Sequence, residues 1–104
     1  MLDFGREALE LTAGRVRDDF ATDRQLFLAC SRLAEIVGEA ASRTSPAHRD
    51  RMPEIPWRHI VGFRNRLAHG YLEVDFDVLW EAIRYDFPPM IEILERFLAD
   101  HESA

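Results

Sequence analysis

The spacing of apolar residues is the feature that most limits how this chain can fold, because it follows the period of an α-helix. The clearest case extends from Thr22 to about Ser42, where apolar residues recur three and four positions apart: Leu26, Phe27, Cys30, Leu33, Ala34, Val37 and Ala41. This spacing places them on one broad face of a helix. No segment combines strict alternation with turn residues, as a half-buried strand would. The sequence therefore predicts an all-α fold without a sheet.

The first half of the chain is predicted to hold two helices. Residues 2–12 show helical spacing, and Gly14 interrupts them. Residues 15–21 are mostly polar and form a predicted link that carries Phe20. Thr22 is expected to be the N-cap of the long second helix, because a threonine hydroxyl can accept a hydrogen bond from a free amide of the first turn.

The second half is predicted to hold a short turn and two further helical regions. Ser45 and Pro46 begin a short helical turn, and Pro56 suits the first turn of a helix that should end near His69, with Gly70 just beyond it. Asp75 is a candidate cap for a last region that reaches about Asp100. Prolines at positions 88 and 89 predict a kink or break near residue 86.

The end of the long helix has small residues beside acidic ones. Gly38 makes this end thin, which would let another helix approach closely. Glu35 and Glu39 lie one turn apart on a neighbouring face. They form either a solvated edge or a pair that anchors an arginine near a functional site, and the sequence leaves both alternatives open.

The length and composition of the chain predict one ordinary globular domain. Its 104 residues, expected to form a single domain over 1–104, carry 47% hydrophobic and 31% charged residues. No apolar run approaches the roughly 18 residues of a membrane span, and the start resembles no signal peptide, so a cytoplasmic location is expected. The net charge of −6 argues against a broad nucleic-acid-binding surface but allows a small phosphate site. Cys30, the single cysteine, is expected to be a small core residue.

Three residues with complementary chemistry lie within eight positions of one another. Arg64, His69 and Tyr71 offer a planar fork of donors for a phosphate, a proton carrier near neutral pH and a phenol. Residues 57–71 contain three arginines and no acidic residue, although the chain as a whole is acidic. Such groups are those that an RNA-cleaving site needs, although spacing and charge alone indicate this only weakly.

Metal-free RNA cleavage would need a second proton carrier in addition to His69. One group must remove the 2′-hydroxyl proton and another must protonate the leaving oxygen. A two-fold dimer would bring two His69 and two Arg64 side chains to one groove. Tyr71 and His59 are the alternatives within one chain, and His59 is a weak candidate because it lies about 80° from His69 around a helix. The four histidines lack the spacing of zinc ligands, so no metal site or cofactor is expected.

The segment Arg64-Asn65-Arg66-Leu67-Ala68-His69-Gly70-Tyr71 resembles the hallmark of the HEPN superfamily, and specifically of the HepT-like toxins of toxin–antitoxin pairs. That hallmark is an arginine, four residues, a histidine, any residue and a tyrosine. Three further segments resemble the family in the same order: residues 36–41, residues 53–57, and Trp80 followed by residues 86–88. The resemblance extends over nearly the whole chain.

The resemblance implies an all-α, up-down bundle of four to five helices that forms a homodimer around the motif. It implies a metal-independent endoribonuclease in which Arg64 stabilises the scissile phosphate and His69 acts as general acid and base. Asn65 and Arg66 would support the site. A nucleotidyltransferase antitoxin would be the partner, and it would silence the toxin by transferring AMP to Tyr71.

Two further expectations follow from the resemblance. The alternative function is a non-catalytic HEPN subunit that binds a nucleotide or the transferase without cutting RNA. Family members usually carry about ten more residues before the position of Met1, so the first helix is expected to be short relative to the family.

Overall fold

The structure, a computed structural model, describes residues 1–69 and 76–103, with side chains except those of Phe63, residues 65–69 and residues 101–103. In chain order the elements are α1 Leu2–Thr12, α2 Asp19–Thr22, α3 Arg24–Ser42, α4 Pro46–Arg51, α5 Trp57–His69, α6 Phe76–Glu81, a π-helical segment Ala82–Asp86, and α7 Phe87–Ser103. These ranges contain helices and no strand. The predicted all-α class is therefore confirmed. No helix in them is long and apolar enough to cross a membrane.

The long helix α3 lies between its neighbours in the bundle. It packs against both α1 and α5, and α7 packs against α1. Its predicted apolar face is buried, and Cys30 is fully enclosed within it. The largest fully buried side chains come mainly from the helices that surround this face: Phe87, Ile55, Leu79, Ile83, Met90 and Val37. The core thus fixes where α5, which carries the motif, lies on α3.

The start of α3 differs from the prediction. Asp23, rather than Thr22, is the N-cap: its Oδ1 accepts a hydrogen bond from the Leu26 amide at 3.0 Å. Thr22 is instead the last residue of α2, a short helix within the predicted polar link. Phe20 explains this change, because its buried ring packs edge-on against Phe27 at a centroid distance of 5.8 Å. Burial of that ring fixes a single helical turn that apolar spacing cannot reveal.

Several predicted ends of helices agree with the structure. Helix α1 has the predicted bounds, and Gly14 follows it with a positive φ of 72°. Helix α5 is helical up to His69, the last described residue before the gap, and the Pro56 carbonyl accepts a hydrogen bond from the Ile60 amide at its start. The expected cap residues Gly70 and Asp75 lie outside the described residues.

The predicted break near residue 86 is a π-helical segment. The prolines at 88 and 89 have no amide hydrogen to donate to carbonyls one turn earlier. The chain widens into a π-turn from Ala82 to Asp86, and the Phe87 amide bonds the Ala82 carbonyl five residues before it. Helix α7 then continues to Ser103, beyond the end expected near Asp100.

Candidate functional site

The motif residues are described to different extents. Arg64 lies on α5 and its side chain is described. His69 is the last residue of the same helix, but its side chain and those of Asn65 and Arg66 lie outside the described part. Tyr71 lies outside it altogether. The geometry of the site is therefore built from Arg64 and the residues that surround it.

Arg64 lies directly against Gly38 of α3. A Cβ atom built on Gly38 would be 2.2 Å from the Arg64 Cβ and 2.8 Å from its Cγ. No side chain fits at such distances, so only glycine at position 38 allows the two helices to approach this closely. The thin end that the sequence predicts for α3 is thus the surface on which Arg64 rests.

The carboxylate of Glu39 holds the guanidinium of Arg64. Glu39 Oε2 forms an ion pair with Arg64 Nη2, and Glu39 Oε1 lies 3.1 Å from Arg43 Nη2. About a third of each of the Arg64 and Glu39 side chains is exposed, whereas Arg43 is 78% exposed. One carboxylate therefore bridges a half-buried and a solvent-facing arginine. Of the two alternatives for Glu39, the structure supports the anchor.

Glu35 takes part in a different ion pair. Its Oε1 lies 3.2 Å from Arg32 Nη1, one turn earlier on α3. Both pairs lie along an open pocket of about 640 Å³, lined by Arg32, Glu35, Ile36, Glu39, Ala40, Arg43 and Arg64. The pocket combines three arginines with two glutamates, so it carries a local excess of one positive charge on an acidic protein.

His59, the weak candidate for a second proton carrier, lies elsewhere. Its Nδ1 is 2.9 Å from Asp86 Oδ2 in the π-helical segment. Burial raises the pKa of Asp86, and the nearby His59 lowers that pKa in part. His59 and Arg64 are five residues apart on α5, or about 140° around the helix. The structure therefore ties His59 to Asp86 rather than to the Glu39–Arg64 pair.

Two polar partners of these groups, Arg43 and Asp86, were not predicted from the sequence. Arg43, the C-cap residue of α3, follows Glu39 by four residues, a spacing at which opposite charges meet, so the sequence contained that signal. Asp86 carried no comparable signal, since its contact with His59 depends on how the π-helical segment packs. Among the described residues, no group of three or more histidine, cysteine, aspartate or glutamate side chains is arranged to hold a metal ion.

Comparison with known proteins connects this chain to a ribonuclease family. The model of the HepT-like ribonuclease family matches residues 1–97. A Thermococcus cleftensis protein assigned as ribonuclease HepT is 36% identical over 88 residues, which cover 81% of this chain and 80% of that protein. A Methanocaldococcus jannaschii protein assigned as an RNase is 30% identical over 95 residues, 91% of this chain and 87% of its own length. No solved structure matches the chain significantly.

Proposed function

The chain belongs to the HepT-like ribonuclease family, and from this premise we propose that it is a metal-independent endoribonuclease, the toxin of a toxin–antitoxin pair. Residues 1–104 would act as one domain and would form a homodimer around the motif. The substrate is RNA, and the partner is a nucleotidyltransferase antitoxin in the same cytoplasm. Arg64 and His69 carry the chemistry, with Asn65 and Arg66 in support.

The proposed reaction is a transesterification followed by release of the cut strand. A base removes the 2′-hydroxyl proton, and the resulting oxygen attacks the adjacent phosphorus. The bond from phosphorus to the 5′-oxygen breaks, and an acid protonates that oxygen. The products are a 2′,3′-cyclic phosphate and a free 5′-hydroxyl. His69 of one copy provides one of these two proton carriers, and His69 of a second copy of the chain provides the other.

The observation that carries the proposal is the environment of Arg64. Its guanidinium is held on α3 by Glu39 at the edge of an open pocket of about 640 Å³. An arginine presents five N–H donors in a fixed, planar fork, which matches the geometry of a phosphate. A positive group held in advance at the phosphate would stabilise the charge that develops there during cleavage.

Silencing by the antitoxin is the proposed role of Tyr71. The phenol oxygen would attack the α-phosphate of ATP, pyrophosphate would leave, and the phenol proton would be released. The product is a tyrosine that carries AMP two residues after His69. A nucleotide attached there would occupy the space that the RNA backbone requires, which would stop cleavage without unfolding the protein.

The proposal is tested by cleavage of RNA in the presence of EDTA. Protein whose intact mass shows an unmodified chain should cut RNA and leave cyclic phosphate ends. Arg64→Ala and His69→Ala should each lower the cleavage rate by about 10²- to 10⁴-fold, the range expected for loss of an acid–base group or a phosphate-stabilising group.

Two exposed residues supply matched controls for these variants. Arg96 lies on α7 and pairs only loosely with Glu92, at 3.9 Å. His48 on α4 bonds its neighbour Ser45 at 2.7 Å. Arg96→Ala and His48→Ala should cut RNA at the wild-type rate. The proposal is wrong if wild-type protein leaves RNA intact under EDTA and His69→Ala behaves identically.

The second candidate function is a non-catalytic subunit that binds a nucleotide or the transferase. The net charge of −6 favours it, because an acidic surface repels the RNA backbone. In that case the chain would form a tight complex with a nucleotidyltransferase and its expression would not slow growth. The two functions are distinguished by the growth of cells that express wild type or Arg64→Ala, each with and without the transferase.

A further inference from the structure

The Glu39 carboxylate is positioned between two arginines of unequal exposure. Its Oε2 contacts Arg64 and its Oε1 contacts Arg43 at 3.1 Å, so the two guanidiniums use different oxygens. The Arg64 side chain is 32% exposed and that of Arg43 is 78% exposed. Ion pairs at partly buried positions are screened less by solvent and salt than exposed ones. The contact with Arg64 is therefore the more constraining of the two.

The stem of the Arg64 side chain is constrained as well as its head. The contact with Gly38 places the Arg64 Cβ and Cγ against the backbone of α3. Glu39, the next residue on α3, then holds the guanidinium at the far end of the same side chain. A free arginine side chain loses conformational entropy when it becomes fixed. Here that loss occurs on folding rather than on substrate binding.

We propose that Glu39 is a positioning residue for Arg64 in the proposed ribonuclease, and that Arg43 tunes the charge that Arg64 presents to a phosphate. The effect of Glu39 on catalysis rests on the proposed function. A lone Glu39–Arg64 pair would be electrically neutral and would attract a phosphate weakly. With Arg43 on the other carboxylate oxygen, the cluster of three carries one net positive charge.

Glu35 provides the internal comparison for this proposal. It lies four residues before Glu39 on the same helix and carries the same charge, but its carboxylate is bound by Arg32 at 3.2 Å. Removing either glutamate changes the net charge by the same amount. A general electrostatic effect would therefore appear in both variants, whereas a positioning effect would appear only at Glu39.

The test is steady-state cleavage kinetics of the full chain on an RNA oligonucleotide. Glu39→Ala should lower kcat by about 10- to 100-fold and change KM less than about 3-fold, because misplacement of a group that acts in the transition state costs rate. Glu39→Gln keeps an acceptor oxygen and should recover kcat to within about 5-fold of wild type. Arg43→Ala should raise KM by about 3- to 10-fold with kcat nearly unchanged.

A charge-retaining variant covers the case in which Glu39→Ala fails to fold. Glu39→Asp keeps the carboxylate but withdraws it by one methylene, so kcat should still fall by at least about 5-fold. Glu35→Ala should lose less than about 3-fold in kcat. The proposal is overturned if Glu39→Asp matches wild type, or if Glu35→Ala and Glu39→Ala lose the same amount.

A readout independent of catalysis separates this proposal from the proposed function. The Nε–H resonance of Arg64, assigned by comparison with Arg64→Lys, should be sharp in wild type and in Glu35→Ala. It should broaden or move to the position of a solvent-exposed arginine in Glu39→Ala. If wild type cuts no RNA, the ribonuclease proposal fails while this spectrum still decides whether Glu39 fixes Arg64. An unchanged resonance in Glu39→Ala would overturn the positioning role.

Discussion

At the scale of single residues, burial decides the chemistry of Cys30. The thiol is fully enclosed on the apolar face of α3. Desolvation there raises the pKa of Cys30 from an ordinary value of 9.0 to about 11. The thiolate is the reactive form of cysteine, so the native protein holds an unreactive thiol at neutral pH. The expectation that Cys30 is a core residue is confirmed.

The raised pKa of Cys30 leads to a prediction about stability at alkaline pH. Because the native state binds this proton more tightly than the unfolded state, the thiol's contribution is complete below about pH 9. It is lost as the pH rises through about 11. A shift of two pKa units corresponds to about 2 to 3 kcal/mol. The free energy of unfolding, measured in urea from pH 8 to 11, should fall more steeply for wild type than for Cys30→Ala.

The difference in stability between wild type and Cys30→Ala isolates the contribution of the thiol from that of the groups that both proteins share. Cys30→Ala removes the sulfur from a buried position and should be less stable than wild type near pH 8. The gap between the two should then narrow as the pH approaches 11. A constant gap over this range would contradict the assigned effect of burial on the thiol.

The sequence predicts the role of a single residue well when the residues that determine this role lie on the same helix. Helical spacing was enough to place Cys30 in the core and to offer an arginine anchor as one of two roles for Glu39. It could not select that role, because the choice depends on how closely α5 approaches Gly38. The contact of His59 with Asp86 joins two elements across a π-helical segment, and no local pattern encodes it.

At the scale of elements, the contact between α3 and α5 controls the site. Gly38→Ala would place a methyl group 2.2 Å from the Arg64 Cβ, so α5 would have to move. We expect this variant to lose about 1 to 3 kcal/mol of stability, the usual cost of overpacking. It should also lower RNA cleavage, because the guanidinium would shift relative to Glu39. Chemical denaturation and the cleavage assay measure the two effects.

Gly62 is the matched control for this substitution. It also lies within a helix, α5, but a Cβ built there meets no heavy atom within 4 Å. Gly62→Ala should therefore be neutral or stabilising by up to about 1 kcal/mol, because alanine favours a helix over glycine. Equal destabilisation by the two substitutions would show that close approach at Gly38 is not what limits the packing.

The sequence predicts helices well where apolar residues repeat over several turns. It predicts them poorly where the burial of a single ring determines the local structure. The bounds of α1 and the helical course of α5 up to His69 agree with the structure, since each helix has a clear apolar face. Helix α2 was missed because four residues are too few to show a period, and Phe20 holds them by burial. The prolines at 88 and 89 predicted a break, and the structure shows a π-helical segment there, a form that the sequence did not specify.

At the scale of the whole molecule, a thin shape leaves the Arg64 pocket open. The chain measures 47 × 28 × 17 Å along its principal axes, and helices pack 8 to 10 Å apart. The shortest dimension therefore accommodates about two layers. The pocket beside Arg64 lies open on the outside of α3 and α5. A second copy of the chain placed over the motif would turn this open surface into a groove, as the proposed homodimer requires.

Mixed dimers test whether one groove needs histidines from both copies. A chain of 12.1 kDa should sediment at twice that mass if the proposed homodimer forms. Each chain has a single His69, whereas metal-free cleavage needs both a base and an acid. Dimers of wild type with His69→Ala, isolated through two different affinity tags, should therefore retain less than about a tenth of wild-type activity.

The fraction of cleavage activity that the mixed dimers retain distinguishes a shared groove from two independent sites. Dimers with one complete site per chain would keep about half of the activity, because removal of one His69 would leave the other site intact. Dimers of wild type with His48→Ala, purified in the same way, should keep full activity, since His48 is bound to Ser45 on α4. Retention of half the activity would assign the second proton to a group of the same chain, for which His59 is poorly placed because Asp86 holds it.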